Sequence, residues 1–452
     1  MCLAVIVGLA ACDASPIDPT PARRAPTRAS STVTPPSGIF TWNAGSTVKV
    51  EQVLGDIDWE RAAVWLAANP GATLPVPAPA SVLTAGLTGS LFNVYGSDLG
   101  SSFDLGDSLV FLFGDTDTDS NPGNAVDVVG KSGATSGEQP LRLQFTMGGA
   151  TGLEPGHITG GSHPMGAFNV PNAGIHVNGT TYVVANVNAS VGAASPHATS
   201  ESWVLQYNAG TGTFTDVRQL SATATGRFVY TALHSDTMAN VPDRNVFIFG
   251  TGSYRASNIY LASVRADHFG YAAPTTKYFT GLDPVTGAPI LSTLESDAMP
   301  IVFDNPLNTP GDTGTVGNIS VAHPDGSPWW IMLYDGGRQS PDTRGIYFTY
   351  ARKPWGPWAT PQLIFHPVRD GAVHHFIHAP CQPWEPACVD DLLHGPVPGS
   401  NDPITTFGAA YAPMIIERFS RIQNQTLTLY YLVSTWNPYT VVKMKSTFTI
   451  AP

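Results

Sequence analysis

The sequence is poor in charged residues and has no cluster of basic ones. Only 12% of its 452 residues are charged, and 34 Asp and Glu against 22 Lys and Arg leave a formal net charge of −12. An acidic chain without a basic patch repels phosphate backbones. Nucleic acid is therefore not an expected partner.

Short catalytic signatures are missing as well. The chain has no Gly-x-Ser-x-Gly, no phosphate-binding loop, no dinucleotide fingerprint and no His-Glu-x-x-His. Such patterns place a nucleophile, a phosphate group or a zinc ion. Serine hydrolase, nucleotide-dependent and zincin chemistry therefore have no support, and no cofactor is expected.

The apolar run at the amino terminus, residues 1–12, is too short to span a bilayer. It ends in Leu-Ala-Ala-Cys, which resembles the bacterial lipobox, where the Cys is acylated. We expect a lipoprotein-type signal peptide with Cys12 as the lipidated residue. The protein would then lie outside the cytoplasm, at the cell surface, facing the periplasm or secreted. Because the run lacks a basic beginning, a generic secretion signal or a buried apolar segment is the alternative.

The segment that follows is too polar to fold by itself. Residues 13–38 are rich in Pro, Ser, Thr and Ala, which predicts a disordered tether between the lipid and a globular part. Residues 39–84 form an extension with one predicted helix, Glu60–Ala68, that precedes the main domain. The membrane is thus contacted only through the lipid anchor, and the chain is expected to be a monomer.

Cysteine is scarce. Of the four Cys residues, Cys381 and Cys388 enclose a short segment with two prolines, which a disulfide can close in an oxidising compartment. The alternatives are free thiols or a metal pair with His374, His375 and His378, whose spacing matches no recognised zinc pattern. We expect the disulfide and no metal.

Glycine and proline are abundant, at 45 and 39 residues, and they separate many short apolar segments. Five strongly apolar and aromatic strands, each expected to be the first strand of a repeat, are predicted at Leu109–Phe113, Thr181–Ala185, Asn245–Phe249, Trp329–Tyr334 and Thr426–Val433. Each has a predicted partner strand, near Leu143, Trp203, Ile259, Ile346 and Val441. This long-period repeat predicts an all-β, five-bladed β-propeller over residues 85–452, with a β-sandwich carrying long insertions as the alternative.

Acidic residues at the ends of these strands are the candidate catalytic groups, because strand ends in a propeller surround a central pocket. Asp115 follows the first apolar strand, and Asp335 ends the fourth. Glycosidases use carboxylates in pairs, so Asp115 is the first candidate, with Asp335 or Glu295 as its partner. The alternative for each is a solvated residue or one that caps a turn.

The segment after Asp115 also resembles the start of a calcium-binding loop. Asp115, Asp117 and Asp119 alternate, but Ser120 stands where a calcium loop has Gly, and no Glu closes the loop. Calcium is therefore the weaker interpretation of a segment that is typical of a polar turn.

Five further residues are candidates for binding a substrate. Arg255 follows a strand and could offer a fork of donors to sugar hydroxyls, or else form a salt bridge between blades. Trp436 and Tyr439 could stack on a sugar, and Asn437 could add directional hydrogen bonds. His163 could enter the pocket, although a lone His is more often structural.

Several segments together resemble the domain-of-unknown-function family 4185. They are NVFIFGTGSYRASNIYLASV, GNISVAHPDGSPWWIMLYDG, ARKPWGPWATPQLIF and STWNPYTVVKM, in this order, with LVFLFGDT and FNVPNAGIHVNGTTYVV in the opening blades. The resemblance implies a five-bladed propeller related to bacterial polysaccharide-degrading enzymes. Some members of the family are classed as glycoside hydrolase family 183, endo-acting on D-arabinan. It also implies that Asp115, in the family's Gly-Asp-Thr, is a catalytic carboxylate.

The sequence departs from the family at two positions. Asn318 stands where many relatives have Glu, and residues 131–133 stand where a second Asp is expected. A glycosidase without its acid or base loses much of its rate but still binds sugar. The expected function is hydrolysis of a furanose-rich, arabinan-like polysaccharide. A non-catalytic carbohydrate-binding or adhesion propeller is the alternative, and a purely structural envelope protein is a third class.

Overall fold

The computed structural model describes residues 34–118, 125–148, 154–155, 169–188, 199–222, 226–235, 244–302, 315–336, 345–380, 393 and 406–452. Cys12, Asp119, His163, Cys381 and Cys388 lie outside the described residues. The lipidation and disulfide predictions, and that for His163, therefore stay predictions.

Two strands and two helices precede the first blade. They are β1 (Phe40–Trp42), β2 (Val48–Gln52), α1 (Trp59–Ala68) and α2 (Thr88–Phe92). Helix α1 begins where the Asp58 side chain accepts a hydrogen bond from the backbone N–H of Arg61, and it buries Ala62 and Ala63. The predicted helix over 60–68 is confirmed.

Five antiparallel sheets follow in chain order. The first contains β3 (Gly96–Asp104), β4 (Leu109–Asp117), β5 (Ala125–Ser132) and β6 (Gln144–Phe145), followed by a hairpin of β7 (Met147–Gly148) and β8 (Glu154–Pro155). The second contains β9 (Pro171–Val177), β10 (Thr180–Asn188), β11 (Thr199–Asn208) and β12 (Thr213–Ser221).

The third sheet contains β13 (Tyr230–Ser235), β14 (Asn245–Thr251), β15 (Ile259–Arg265), β16 (Lys277–Leu282), β17 (Pro289–Ser292) and β18 (Pro300–Val302). The fourth contains β19 (Ile319–Ala322), β20 (Trp330–Gly336), β21 (Gly345–Ala351) and β22 (Gln362–Phe365). The fifth contains β23 (Ala410–Ile415), β24 (Arg421–Gln423), β25 (Thr426–Thr435) and β26 (Thr440–Ile450).

The five sheets are the blades of a propeller. Their first strands, β3, β9, β13, β19 and β23, contact one another in this order, and β23 contacts β3 to close the ring. Five apolar clusters lie between neighbouring blades, and Phe113 with Leu432 belongs to the one between the first and the last. Burying one such side chain contributes about 1.5–3 kcal/mol, so these clusters hold the blades together.

The amino-terminal strands complete the fifth blade. Both β1 and β2 pair with β26, so the first two strands and the last strand share one sheet. Glu51 on β2 accepts a hydrogen bond from the backbone N–H of Leu141 in the first blade and pairs with the buried Lys443 at 2.8 Å. The extension before residue 85 therefore helps to close the seam between the first and last blades.

The all-β, five-bladed propeller is confirmed, and two details of the strand prediction are corrected. The five predicted apolar strands are the second strands of their blades, because the strands before them face the axis and carry small or polar residues. The partner of β4 is β5, whereas the segment near Leu143 forms the outer β6. Asp127, Gly130 and Lys131 interrupt the apolar pattern of β5 and conceal it in the sequence.

Candidate functional site

Polar side chains from four blades meet at one end of the ring. The first strand of each blade starts at this end and the second strand finishes there, because the two run antiparallel. Asp98 therefore comes from the start of β3 and Asp115 from the end of β4. Arg255 follows β14, and Asp335 lies near the end of β20.

The carboxyl group of Asp98 lies in an environment that disfavours its charge. Burial raises its pKa well above the ordinary value, and the charge of Asp115 raises it further, against a lowering effect of the hydrogen bond from Tyr411. The Tyr411 hydroxyl donates to Oδ2 of Asp98 at 3.1 Å, while the buried Oδ1 has no hydrogen-bond partner among the described residues. Asp98 thus favours its protonated form beside a second carboxyl group.

Asp115 lies at a break in its strand. Its φ of +42° is in the left-handed region, and the pairing of β4 with β5 shifts between Phe113 and Thr116. The bulge re-aims the side chain, as bulges beside functional sites often do. Its backbone N–H donates to Oδ1 of Asp127 at 3.0 Å, and its carbonyl oxygen accepts a hydrogen bond from the Tyr439 hydroxyl at 2.8 Å.

Three tyrosine hydroxyls surround the carboxyl groups. Burial raises the pKa of Tyr411 and Tyr439 well above the ordinary value, and the charge of Asp98 adds to the effect in both. Burial likewise raises the pKa of Tyr254. These phenols therefore remain hydrogen-bond donors at any pH at which the protein works.

Arg255 and Asp335 form an ion pair on the opposite side of the cluster. Nε of Arg255 lies 3.1 Å from Oδ2 of Asp335, whose side chain is only 3% exposed. Oδ1 of Asp335 accepts the backbone N–H of Asn318 at 2.7 Å, and a Cβ at Gly317 would collide with the carboxylate. The guanidinium also lies over the ring of Tyr254 at 4.9 Å. Asp335 is thus at the predicted end of the ring, where it orients Arg255.

Glu295 is not brought to this cluster. It lies in a short 3₁₀ helix, Glu295–Asp297, after the outer strands of the third blade. Its Oε1 accepts hydrogen bonds at 2.6 Å from the hydroxyl of Ser221, at the end of the outermost strand of the second blade, and from the backbone N–H of Arg227. Glu295 therefore joins the outer parts of two blades.

The predicted binding residues of the last blade are close to the site but differ in exposure. Trp436 is partly exposed, and its ring meets that of Tyr439 edge-on at 5.4 Å. Asn437 is fully buried, and its Nδ2 donates to the carbonyl oxygen of Thr406 at 2.7 Å. Trp436 can offer a face to a ligand, whereas Asn437 fastens the loop before β23.

Sequence reasoning missed Asp98, Asp127 and Tyr411. The second Asp of the first blade was sought at residues 131–133, but Asp127 lies earlier on the same strand β5 and is 1% exposed. An acid inside an apolar strand is a usable signal, because a buried carboxylate needs hydrogen-bond donors. Asp98 lies in the Gly- and Ser-rich β3 and Tyr411 in the short β23, so no long apolar strand surrounds either residue.

Outside this cluster, the described residues contain a cavity but no group of metal-ligating side chains. No group of three or more His, Cys, Asp or Glu within the described residues could hold a metal ion. A cavity of about 300 Å³ lies apart, beside β2 and α1. In this cavity Lys443 pairs with Glu51 at 2.8 Å and Arg61 pairs with Asp58 at 3.6 Å, so these charged residues are already paired.

No helix of the described residues is long and apolar enough to cross a membrane.

The cluster is suited to acid–base chemistry. It places a carboxyl group with a raised pKa, Asp98, beside a second one, Asp115, and a pair of carboxyl groups can supply a proton donor and a base or nucleophile. Arg255 and Trp436 beside them add directional donors and an aromatic face. Such an arrangement fits the cleavage or the binding of a polyhydroxylated substrate.

The chain matches one known protein family over most of its length. The sequence profile described as "Domain of unknown function (DUF4185)" matches residues 85–445. No curated protein shows significant sequence similarity to the chain.

Among solved structures, a candidate hydrolase of Bacteroides ovatus aligns with a TM-score of 0.49 and 10% identity, over 78% of this chain and 86% of the other. A GH43_1 enzyme of Xanthomonas citri complexed with xylotriose aligns at 0.38 and 13%, over 78% and 87%. An α-L-arabinanase of Cellvibrio cellulosa complexed with arabinohexaose aligns at 0.36 and 9%, over 78% and 91%. At such values these likenesses assign neither substrate nor mechanism to this chain.

Proposed function

We propose that this chain, which belongs to the family described as Domain of unknown function (DUF4185), is a glycoside hydrolase that uses Asp98 and Asp115 as paired carboxyl groups. The observation that carries the proposal is the placement of Asp98, whose Oδ2 accepts a hydrogen bond from Tyr411 while its Oδ1 is buried without a hydrogen-bond partner among the described residues. Burial and the neighbouring charge of Asp115 raise the pKa of this carboxyl group. The raised pKa favours the protonated form of Asp98, and a glycosidase needs one such proton donor beside a second carboxyl group, here Asp115.

The two carboxyl groups are assigned different roles. Asp98 donates its proton to the glycosidic oxygen as the bond to the anomeric carbon breaks. Asp115 either removes a proton from the attacking water or attacks the anomeric carbon itself. Tyr411 then stabilises the new carboxylate of Asp98 through the hydrogen bond it already makes.

Arg255 is the proposed substrate-positioning residue. Only its Nε is hydrogen-bonded within the described residues, to Asp335, and its side chain is 29% exposed. The terminal N–H groups can therefore reach two neighbouring hydroxyls of a sugar in a fixed fork. Trp436, partly exposed, can stack on an adjoining sugar.

The proposed substrate is a furanose-rich, arabinan-like polysaccharide, supported by the resemblance of several sequence segments to family 4185, some members of which are classed as glycoside hydrolase family 183. The proposed location is outside the cytoplasm, with a lipid on Cys12. Metabolic labelling with a radioactive fatty acid should mark the wild-type protein and not Cys12→Ala. Equal labelling of both would contradict the anchor.

The decisive experiment measures the release of reducing ends from a panel of polysaccharides that includes arabinan, xylan and galactan. The wild type should act on at least one, and Asp115→Asn should abolish the activity. Asp107→Asn is the matched control, since Asp107 is an exposed residue in the turn at the other end of β4. A wild type that releases no reducing ends from any glycan it binds would contradict the proposal.

A second candidate function is sugar binding without cleavage. The observation that favours it is that Asn318, where the family resemblance implies an acid, has a side chain that carries no carboxyl group and a backbone N–H that donates to Asp335. In that case Asp115→Asn should leave glycan affinity unchanged, measured by calorimetry with the same panel, and the wild type should be inactive.

A further inference from the structure

The backbone of Asp115 needs support from its surroundings. A φ of +42° is uncommon for a residue with a side chain, because Cβ approaches the backbone carbonyl oxygen. Such a conformation persists only where neighbouring groups hold it. The groups that bond to the two sides of this residue are therefore the ones that direct its carboxylate.

On the N–H side, the support comes from the same blade. Asp127 lies on β5, which pairs with β4, and its side chain is almost completely buried. Its Oδ1 accepts the backbone N–H of Asp115 at 3.0 Å. This contact ties the Asp115 peptide to the sheet through a side chain that is shielded from water.

On the carbonyl side, the support comes from the last blade. The hydroxyl of the buried Tyr439 donates to the carbonyl oxygen of Asp115 at 2.8 Å. Gly96 makes this approach possible, because a Cβ there would collide with the carbonyl oxygen of Tyr439. The bond therefore crosses the seam between the first and last blades.

We propose that Asp127 and Tyr439 are positioning residues, which clamp the Asp115 peptide from opposite sides and so orient its carboxylate toward the reacting bond. This inference rests on the proposed role of Asp115 in hydrolysis. It assigns Tyr439 to the support of a catalytic residue, because its hydroxyl already bonds to Asp115 and the residue is 4% exposed.

The test compares Asp127→Ala, Asp127→Asn and Tyr439→Phe with two matched controls. Tyr430→Phe removes a buried hydroxyl that also bridges the same two blades, at Glu138, and Asp58→Ala removes a buried carboxylate that also accepts a backbone N–H, from Arg61. The first readout is amide hydrogen exchange at Asp115, and the second is kcat and KM on the glycan that the wild type cleaves.

Asp127→Ala should speed exchange at Asp115 at least tenfold and lower kcat about 100-fold with KM unchanged, since a shift near 1 Å of a reacting group costs about that factor. Tyr439→Phe should lower kcat with the same unchanged KM. Asp127→Asn keeps an acceptor oxygen, so it should restore the slow exchange and most of kcat. The two controls should change neither readout.

Two results would overturn the clamp, and they differ from failure of the proposed function. Unchanged exchange at Asp115 in Asp127→Ala means that the bond does not hold the peptide, whatever the activity. Faster exchange with an unchanged kcat means that the orientation is not needed for cleavage. A wild type without hydrolytic activity overturns the hydrolase proposal, and exchange alone then decides whether Asp127 holds Asp115.

Discussion

The two ends of the inner strands differ in whether their acidic side chains have basic partners. At the site end, β3 and β23 are irregular, with register shifts between Gly96 and Asp98 and between Tyr411 and Met414. The carboxyl group of Asp98 lies there, buried without a basic partner within hydrogen-bond reach among the described residues, and its pKa is raised. This end keeps an acid in an environment that disfavours its charge.

At the opposite end, the acidic side chains have basic partners. Glu417 follows β23 there, and burial alone would raise its pKa, but the charge and hydrogen bond of His234 and the backbone N–H of His323 lower it. Arg418 pairs with Asp104 at the end of β3. The same strands therefore carry a perturbed acid at one end and paired acids at the other, which is the difference expected between a functional and a supporting region.

The largest difference between the two ends should follow from Asp98→Asn, with Asp104→Asn at the far end of the same strand as its control. Asp98→Asn should lower kcat/KM at least 100-fold, the range for loss of a general acid, whereas Asp104→Asn should leave it unchanged. In the wild type, activity should fall as pH rises through the raised pKa of Asp98. Equal losses in both variants would remove the distinction between the two ends.

Asp98 should also affect stability. Its folded pKa lies above the unfolded value of about 3.9, so the native state binds more protons and the free energy of unfolding falls as pH rises between the two values. Asp98→Asn should remove that slope, measured by urea unfolding across this window. A slope that survives in Asp98→Asn would mean that another group causes it.

Arg255→Lys should have the next largest effect. Lys keeps the charge that faces Asp335 but lacks the planar fork, so KM should rise about tenfold with little change in kcat. Steady-state kinetics on the cleaved glycan measure both constants. A loss confined to kcat would show that Arg255 acts on the reacting groups instead.

A smaller change should follow from Tyr411→Phe. The hydroxyl of Tyr411 lowers the pKa of Asp98 by donating to its carboxylate, so removal of the hydroxyl should raise that pKa further. The alkaline limb of the pH–activity profile should move to higher pH. A shift to lower pH would contradict the assignment of Asp98 as the proton donor.

The smallest effect is expected at the opposite end, from Glu417→Gln. The Glu417 side chain is 40% exposed where it meets His234. Loss of this contact should therefore lower the free energy of unfolding by at most about 1 kcal/mol and leave the activity unchanged. Folding lowers the pKa of Glu417. The ionised carboxylate therefore stabilises the native state at pH values above its unfolded pKa of about 4.3, and this stabilisation is lost as the pH falls through its folded pKa. The difference from the wild type should therefore vanish in acid.

The apolar strands were predictable, but the strands that line the axis were not. The segments in β4, β10, β14, β20 and β25 are buried between two neighbouring strands and two blade faces, so they read as continuous apolar runs. The axis-facing β3 and β13 contain small and polar residues and lack that pattern. The prediction therefore found one strand in every blade and misplaced its position in the sheet.

The site was predicted only in part. Asp115 and Arg255 were proposed because each follows an apolar strand, and the structure places both at the same end of the ring. Glu295, also proposed from its neighbours in the sequence, joins the outer parts of two blades instead. An acid at a strand end is a local feature, whereas its distance from a second acid is not.

The sequence by itself determined the all-β class, the five repeated units and Asp115 as a candidate, because burial imposes a local pattern of apolar strands and turns. Only the tertiary structure decided that Asp115 has Asp98 and Asp127 as neighbours and that Tyr411 and Tyr439 complete the cluster. Tyr411 lies 313 residues from Asp98 in the chain. They meet because the ring closes its last blade against its first, and that closure is a property of all five interfaces together.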